Sequence, residues 1–339
     1  MDTAESRLPA RPPTRAPEIA KPAMRQTFSG SLRTAPKARP LPLGPAEWIN
    51  RIVYRGTAFT LGEWRCGPKH RLWSEENYIR DGHNLVFPRT CVYIRPESGA
   101  PMISTPNQTN FYNLGESYYR RVISPEGEIS EYILVEPSVL QDAIRSIDPS
   151  VQQRPDRPFR FTHATCDSRT YLLQRMLFQH VNSGGPVDRV FLEETALRIL
   201  HNIVHAAYAM RGHKSRTPRE DTDRAHADLA DAARKYIALH FREPIRIDEI
   251  ARAIGTSMFH LCRVFHRRTG MPLHRFLSRM RLRAALECAT DSRRDLTGIA
   301  LDHGFASHSH FTDSFRREFG IPPSSLRKLD SAALARKLF

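Results

Sequence analysis

The chain has 339 residues and a formal net charge of +15 at pH 7, with 40% hydrophobic residues. This length allows two or three domains with an ample core, and the charge favours a polyanionic partner. The sequence contains no apolar run near the ~20 residues needed to cross a bilayer. Its start also lacks the apolar core of a secretion signal, so we expect a cytoplasmic protein.

The five cysteines are scattered and contain no CxxC pair. An odd number of unpaired cysteines favours reduced thiols, as in a cytoplasmic protein. They are Cys66, Cys91, Cys166, Cys262 and Cys288.

Residues 1–45 are rich in Pro, Arg, Ala and Ser and have no hydrophobic period. Such a segment cannot bury enough apolar surface to offset the entropy lost on ordering. We therefore predict a disordered tail. Its basic residues could touch DNA phosphates, but a passive tail is the simpler interpretation.

The segment from Trp48 to Pro137 contains many short β-branched and aromatic runs separated by Gly, Pro and Asp breakers, and is predicted to form mainly strands. Ser124–Gly127 has the composition of a turn between two strands. Many short strands at close spacing predict a sandwich or a small barrel. The runs are Ile52–Tyr54, Phe59–Leu61, Leu85–Phe87, Cys91–Ile94, Phe111–Asn113, Tyr118–Ile123 and Tyr132–Val135.

Three helices are predicted after the strands. Ser138–Asp148 is short, whereas Asp167–Asn182 and Val187–Arg211 carry clear apolar stripes and form a hairpin. This hairpin either covers the strands or pairs with another subunit, and both can hold. The first domain is therefore placed at residues 46–212.

The rest of the chain is predicted to be helical. Residues 213–226 are polar without a period and are assigned as a linker. Residues 227–328 form the next domain, and 329–339 a C-terminal tail. Leu277–Cys288 is predicted as a long helix whose Arg279 and Arg283, with Arg275 just before it, face solvent.

Residues Leu296–Leu326 have the pattern of a helix, a glycine turn and a second helix. Gly304 can enter the left-handed region without a Cβ clash, and Ser307 can cap the following helix. Phe311, Phe315 and Phe319 recur at fourth-residue spacing and predict its buried face. This is the pattern of a helix-turn-helix motif, whose second helix enters the major groove.

A second copy of the motif lies about fifty residues upstream. Ile250-Ala251, Gly255, Phe265 and Gly270-Met271-Pro272 match Ile299-Ala300, Gly304, Phe315 and Gly320-Ile321-Pro322. Two copies in one register are far more specific than one. On these residues the sequence resembles the AraC family of bacterial transcription regulators over about a third of its length.

The resemblance implies an α+β chain with an N-terminal cupin-like β-barrel and helical hairpin, and a C-terminal all-α domain with two helix-turn-helix motifs. It implies a nucleoid-associated regulator of transcription that binds double-stranded DNA and responds to a small-molecule effector. It also implies a homodimer, and contact with RNA polymerase if the protein is an activator. The N-terminal part lacks the HxH triplet of metal-binding cupins, so no metal or cofactor is expected.

The residues expected to contact DNA lie on the outward faces of two recognition helices. Arg263 is the best candidate for a bidentate contact to guanine, and Phe259 is either a thymine contact or a core aromatic. Asp313 either repels phosphate or accepts from a cytosine amine. The full set is Met258, Phe259, His260, Cys262, Arg263, Arg267, Ser307, His308, Ser309, Thr312, Asp313 and Arg316.

Two other classes of function were weighed against this one. An enzyme would need a catalytic or metal set, and the only suggestive group, Cys66, His70 and His83, matches no strong zinc spacing. There is no nucleotide-binding glycine loop and no G-x-S-x-G elbow. The remaining alternative is an architectural protein that coats DNA without sequence preference.

Overall fold

The computed structural model describes residues 49–97, 99–184, 188–212, 220–290, 294–327 and 331–338. The predicted tail at residues 1–45 lies outside the described residues. Within these ranges, no helix is both long enough and apolar enough to span a membrane.

The strands of the N-terminal half form two antiparallel sheets. Sheet A has six strands in the order β1-β2-β9-β4-β7-β10, and sheet B has four in the order β3-β8-β5-β6. The strands are β1 (Asn50–Arg55), β2 (Phe59–Cys66), β3 (Asn77–Tyr78), β4 (His83–Pro88), β5 (Val92–Pro96), β6 (Met102–Ser104), β7 (Gln108–Tyr112), β8 (Ser117–Val122), β9 (Glu128–Val135) and β10 (His163–Thr165).

The predicted α+β class is confirmed, but the described strands do not close into a barrel. No strand of sheet A is hydrogen-bonded to a strand of sheet B within the described part of the chain. The chain passes from β6 to β7 through a tight turn in which the Gln108 amide donates to the Thr105 carbonyl at 3.2 Å. Sandwiches and barrels share the same alternating pattern, so the sequence could not decide between them.

Sheet A has two chemically different faces because its side chains alternate. One face is apolar and packs beneath helices through Leu61, Leu85, Phe87, Phe111 and Ile133. The opposite face carries aromatic and polar side chains and borders a space that residues of sheet B also line. The predicted turn at Ser124–Gly127 is confirmed, with the Gly127 amide donating to the Ser124 carbonyl at 2.9 Å.

The helices follow the predicted order. They are α1 (Pro137–Arg145), α2 (Ser168–Asn182), α3 (Arg189–Gly212), α4 (Glu220–His240), α5 (Ile247–Ala253), α6 (Met258–Thr269), α7 (Leu273–Ala289), α8 (Leu296–Asp302), α9 (His308–Phe319) and α10 (Ser331–Leu338). The α2–α3 hairpin covers sheet A, since Met176 and Ile199 belong to the same apolar cluster as Leu85 and Ile133.

Two segments predicted to be irregular contain helix. Helix α4 begins at Glu220, inside the predicted linker, because Glu, Asp, Arg and Ala extend a helix without an apolar period. Helix α10 occupies most of the predicted C-terminal tail and buries Ala332, Leu334 and Ala335. The domain boundaries proposed from the sequence remain predictions.

Helix α7 is buried more deeply than its arginines predicted. Arg275 is exposed as expected, but the Arg279 Nε donates to Glu318 at 2.5 Å and the expectation that Arg283 faces solvent is wrong. The Arg283 side chain is fully buried, donates to the carbonyls of Pro106 and Cys166, and stacks on Tyr171.

The physical reason is that two carbonyl oxygens and an aromatic face together replace the water around the guanidinium. Helix α7 of the C-terminal half is therefore fastened to the strand-rich half through a buried cation. No periodicity of the sequence signals this, because the partners are backbone atoms more than a hundred residues away.

A buried charge network joins the same two halves beside Arg283. Glu287 on α7 accepts two hydrogen bonds of 2.8 Å from Arg175 on α2 and also pairs with Arg89. Glu131 on β9 accepts from both arginines. Burial alone would raise the pKa of Glu131, but Arg175 and Arg89 hold it below its usual value. The four charges compensate one another, so the network can remain ionised in the interior.

We predict that Arg283→Met will lower the free energy of unfolding by about 2–4 kcal/mol, because two buried carbonyls lose their donors. Arg275→Met on the exposed face of the same helix is the matched control and should change it by less than about 0.5 kcal/mol. Urea unfolding of both variants measures the difference. Equal effects of the two substitutions would contradict the role assigned to Arg283.

Candidate DNA-binding surface

The first helix-turn-helix motif consists of α5, a turn at Gly255 and α6. Gly255 has a φ of 71°, in the left-handed region. The Ser257 hydroxyl caps α6 by accepting from the His260 amide at 3.2 Å. Gly270, with a φ of 72°, ends the helix, and its amide donates to the His266 carbonyl. These are the start and stop signals that the sequence supplies.

The second motif repeats this construction with α8 and α9. Gly304 has a φ of 77°, Ser307 caps α9 by accepting from the His310 amide at 3.1 Å, and Gly320 ends it with a φ of 80°. A Cβ on Gly304 would lie 3.0 Å from the Arg242 carbonyl oxygen. The repeat inferred from the sequence is thus a structural repeat, with each recognition helix capped by serine and ended by glycine.

The inward faces of both helices match the prediction. Leu261, Val264 and Phe265 are buried on α6, and α9 buries its three phenylalanines. Ring centroids of Phe311 and Phe315 lie 5.5 Å apart. This packing fixes the rotation of each helix about its axis, and so determines which residues face outward.

The outward face of α6 carries apolar and cationic groups together. Phe259 is 77% exposed and Met258 54% exposed, so the interpretation of Phe259 as a core aromatic is wrong. The Arg263 guanidinium donates from Nη2 to His260 Nδ1 at 3.3 Å, which requires the deprotonated Nδ1. That contact restrains Arg263 but leaves its other donors available for a partner.

Two histidines near α6 were missed from the sequence. The His226 ring, carried by α4, lies 5.7 Å from the His260 ring. Burial first, and then nearby His260, Arg267 and Arg263, lower the pKa of His226. His266 is exposed on α6. No local sequence pattern identifies His226, because it comes near α6 only through the packing of α4 against the motif.

The outward face of α9 is polar and of mixed charge. Asp313 is exposed and forms no ion pair within the described ranges. The Thr312 hydroxyl lies 3.5 Å from His308 Nε2. The His310 ring packs edge-on against Phe305 at 5.5 Å, so this histidine supports the turn as well as facing solvent.

None of the twelve residues predicted to contact DNA is buried. His260, Cys262 and Thr312 are half-buried, and the others are exposed: Met258, Phe259, Arg263, Arg267, Ser307, His308, Ser309, Asp313 and Arg316. Ser307 uses its hydroxyl for the helix cap, which leaves less of it for a base. Their roles in binding remain predictions.

The group suggested for an enzyme or a metal site has ordinary structural roles. His70 accepts from the Leu72 amide at 3.2 Å, and His83 accepts from the Leu114 amide at 3.2 Å. Cys66 is buried, and burial raises the pKa of its thiol. In the part of the chain that the structure describes, no three His, Cys, Asp or Glu side chains are grouped to hold a metal ion.

The chain is similar to known proteins over parts of its length. Residues 250–329 match a family model described as a helix-turn-helix domain. The HTH-type transcriptional activator RhaS of Escherichia fergusonii is 37% identical over 95 residues, which cover 28% of this chain and 34% of that protein. An uncharacterized HTH-type transcriptional regulator of Staphylococcus aureus is 24% identical over 172 residues, 50% of this chain and 22% of that protein. The chain thus spans about a fifth to a third of these relatives.

Two solved structures are similar at a lower level. ToxT of Vibrio cholerae aligns over 81% of this chain and 98% of that chain, with 11% identity and a TM-score of 0.34. An AraC-type regulator from Chromobacterium violaceum aligns over 31% of this chain and 94% of that chain, with 26% identity and a TM-score of 0.29.

We predict that Arg263→Ala will cost ~1–3 kcal/mol at the preferred site and relax preference at one base pair, if Arg263 bonds a guanine. Arg268→Ala, on the same helix, is the control, because Arg268 already pairs with Asp223 at 2.8 Å. Titrating each variant protein against the preferred site and its single-base variants measures the change in affinity and the change in base preference. A loss of equal size on every sequence would make Arg263 a phosphate contact instead.

A second prediction concerns the charge of Asp313. Asp313→Asn should tighten binding on every duplex by about 1 kcal/mol or less, because a repulsion from phosphate is removed. The salt dependence should barely change, since no phosphate contact is added. Asp302→Asn is the charge-matched control, as Asp302 pairs with Arg294. Weaker binding confined to one base pair would instead show that Asp313 accepts from cytosine.

Proposed function

Because residues 250–329 match a helix-turn-helix domain, we propose that the chain is an AraC-type, sequence-specific, double-stranded-DNA-binding regulator of transcription. The observation that carries this proposal is the structural repeat of two identically capped recognition helices. Each presents exposed side chains that can hydrogen-bond to base edges. The first recognition helix, α6, exposes the cations Arg263 and Arg267, and this supports an anionic partner.

In this proposal the two recognition helices enter successive segments of the major groove. Arg263 and Phe259 would contact bases from α6, and His308 and Ser309 from the first turn of α9. Arg267, about one turn beyond Arg263, and Arg316, about two turns beyond Ser309, would contact phosphates. Helix α7 joins the two motifs and sets the distance between them.

We propose further that the strand-rich half responds to a small-molecule effector. Its contacts with the DNA-binding half support this, because they are made with α7, which lies between the two motifs, and with α9, the second recognition helix. Ser168 on α2 and Arg279 on α7 both bond to Glu318 of α9. A ligand that shifted α2 would therefore change the packing of α7 and α9.

The assembly and partners are also part of the proposal. Val190 is 76% exposed and Leu197 47% exposed on α3, and such apolar residues support a homodimer formed through the hairpin. RhaS is named an activator, so contact with RNA polymerase is included if this chain activates transcription. A cytoplasmic, nucleoid-associated location follows from the proposed partner.

The test is selection of bound duplexes from a random library by the full chain, followed by competition with unrelated DNA. We expect one enriched motif with two parts, and competition by unrelated duplex only at about a thousandfold excess or more. An architectural protein would show no enriched motif and equal competition by all duplexes. That result would overturn the proposal.

A further inference from the structure

Helix α3 exposes a line of side chains along one of its faces. Val190, Glu194, Leu197, His201 and His205 follow one another at spacings of three or four residues, which places them on the same face of a helix. All five are exposed, Val190 at 76% and Leu197 at 47%. The opposite face of α3 is buried against α2 and sheet A. We call this line of five residues the α3 stripe.

Two histidines of the α3 stripe lie side by side. The ring centroids of His201 and His205 are 4.1 Å apart, with an angle of 46° between the ring planes. Neither ring is hydrogen-bonded to another residue in the described part of the chain. Partial burial, and then the neighbouring His201, lower the pKa of His205 and favour the neutral ring that can bind a metal. The ring nitrogens of the pair are therefore available to a ligand.

The spacing of this pair is that of metal-binding histidines on a helix. Side chains at positions i and i+4 are neighbours on the helix surface, and two histidines so placed bind one ion in the H-E-x-x-H motif. Imidazole nitrogen is a preferred ligand of zinc and of other divalent first-row metals. Because His201 and His205 are exposed, both can turn toward a common ion without loss of packing.

Two imidazoles fill only half of a tetrahedral zinc site. Within the residues that the structure describes, no third His, Cys, Asp or Glu is grouped with them to hold an ion. Glu194 lies seven residues before His201, about 10 Å along the helix axis, and pairs with Arg198. The remaining ligands must therefore come from water or from another molecule.

We propose that His201 and His205 bind a divalent first-row metal ion such as zinc together with the same pair from a second copy of the chain. Two α3 helices that pair antiparallel about a two-fold axis at the height of Ile203 bring His201 of each copy opposite His205 of the other. Four imidazoles then surround one ion, in the tetrahedral arrangement that zinc takes in protein sites. Each dimer holds one ion on its axis.

The rest of the α3 stripe fits a second copy of the same helix. Leu197 lies six residues before the axis, so it faces the part of the other helix six residues after the axis, where Ala209 and Met210 are exposed. The exposed apolar surface of each copy is thereby covered. Glu194 and Arg198 pair within one helix at 3.4 Å, so these two charges compensate each other and do not repel the copy.

The metal site rests on the homodimer proposed above and deepens it. Its tests contain no DNA, so their failure would leave the DNA-binding proposal standing. Failure to select a DNA motif would likewise leave the metal site standing. A chain that dimerised equally well with and without metal would keep the homodimer and lose the metal site.

Sedimentation velocity of the full chain tests the link between metal and dimer. The probe is Zn²⁺ alone, added after a chelator has removed bound metal, at protein concentrations where the stripped chain is largely monomeric. Dimerisation should tighten about tenfold or more, with one ion bound per two chains, because the ion binds the dimer better than the monomer. Unchanged dimerisation, or one ion bound per chain without dimerisation, would overturn the proposal.

Co²⁺ in place of Zn²⁺ reports the geometry of the site. Four imidazoles give tetrahedral Co²⁺, which absorbs strongly in the visible range, whereas two imidazoles completed by water give the pale octahedral ion. We expect the tetrahedral spectrum to appear together with the dimer. An octahedral spectrum in the dimer would contradict the four-histidine site.

Variants separate the metal site from general stability. His201→Gln and His205→Gln each remove two of the four ligands and should abolish both the metal-dependent dimerisation and the tetrahedral spectrum. Both positions are exposed, so circular dichroism should not change. Leu197→Gln keeps the ligands but weakens the contact between copies, so the tetrahedral spectrum should require more protein.

His274→Gln, at an exposed histidine of α7, is the control and should respond to metal like the unaltered chain. An equal loss in His274→Gln, or a metal response that survives in both His201→Gln and His205→Gln, would refute the site.

Discussion

The burial of Arg283 is the constraint on which the arrangement of the two halves depends. A guanidinium that is removed from water needs hydrogen-bond acceptors nearby. Arg283 donates to the carbonyl oxygens of Pro106 and Cys166. Those carbonyls belong to the strand-rich half, whereas Arg283 belongs to the helix between the two helix-turn-helix motifs. The position of α7, and with it the spacing of the recognition helices, is therefore tied to the sheets.

The neighbouring charge network extends this constraint to α2. Glu287 on α7 and Glu131 on β9 both pair with Arg175 and Arg89. Removing any one of the four would leave a buried charge without its full compensation. The space between the two sheets lies on the other face of sheet A from this network, and β9 contributes side chains to both faces through alternate residues. On β9, Ser130 and Tyr132 face this space, whereas Glu131 between them faces α2. A ligand that contacted Tyr132 would therefore act on the strand that carries Glu131.

The sequence predicted local structure well and tertiary contacts poorly. Capping serines, terminal glycines and the phenylalanine period are local signals, so both recognition helices and their outward faces could be derived. Whether the strands form a closed barrel or two separate sheets depends on which edge strands pair. The alternation of apolar and polar residues along a strand does not determine that pairing. Arg283 was assigned to solvent because a helical period identifies a face as polar without showing what covers it. His226 likewise acquires its surroundings only when distant elements meet.

The central claim is that two recognition helices, held at one spacing by an anchored α7, read neighbouring segments of one face of a duplex. Methylation interference at guanine N7 on a selected site tests this most directly, because N7 lies in the major groove. The account predicts two groups of sensitive guanines centred about 10 base pairs apart, one helical turn. A single group, or two groups on opposite faces of the duplex, would contradict it.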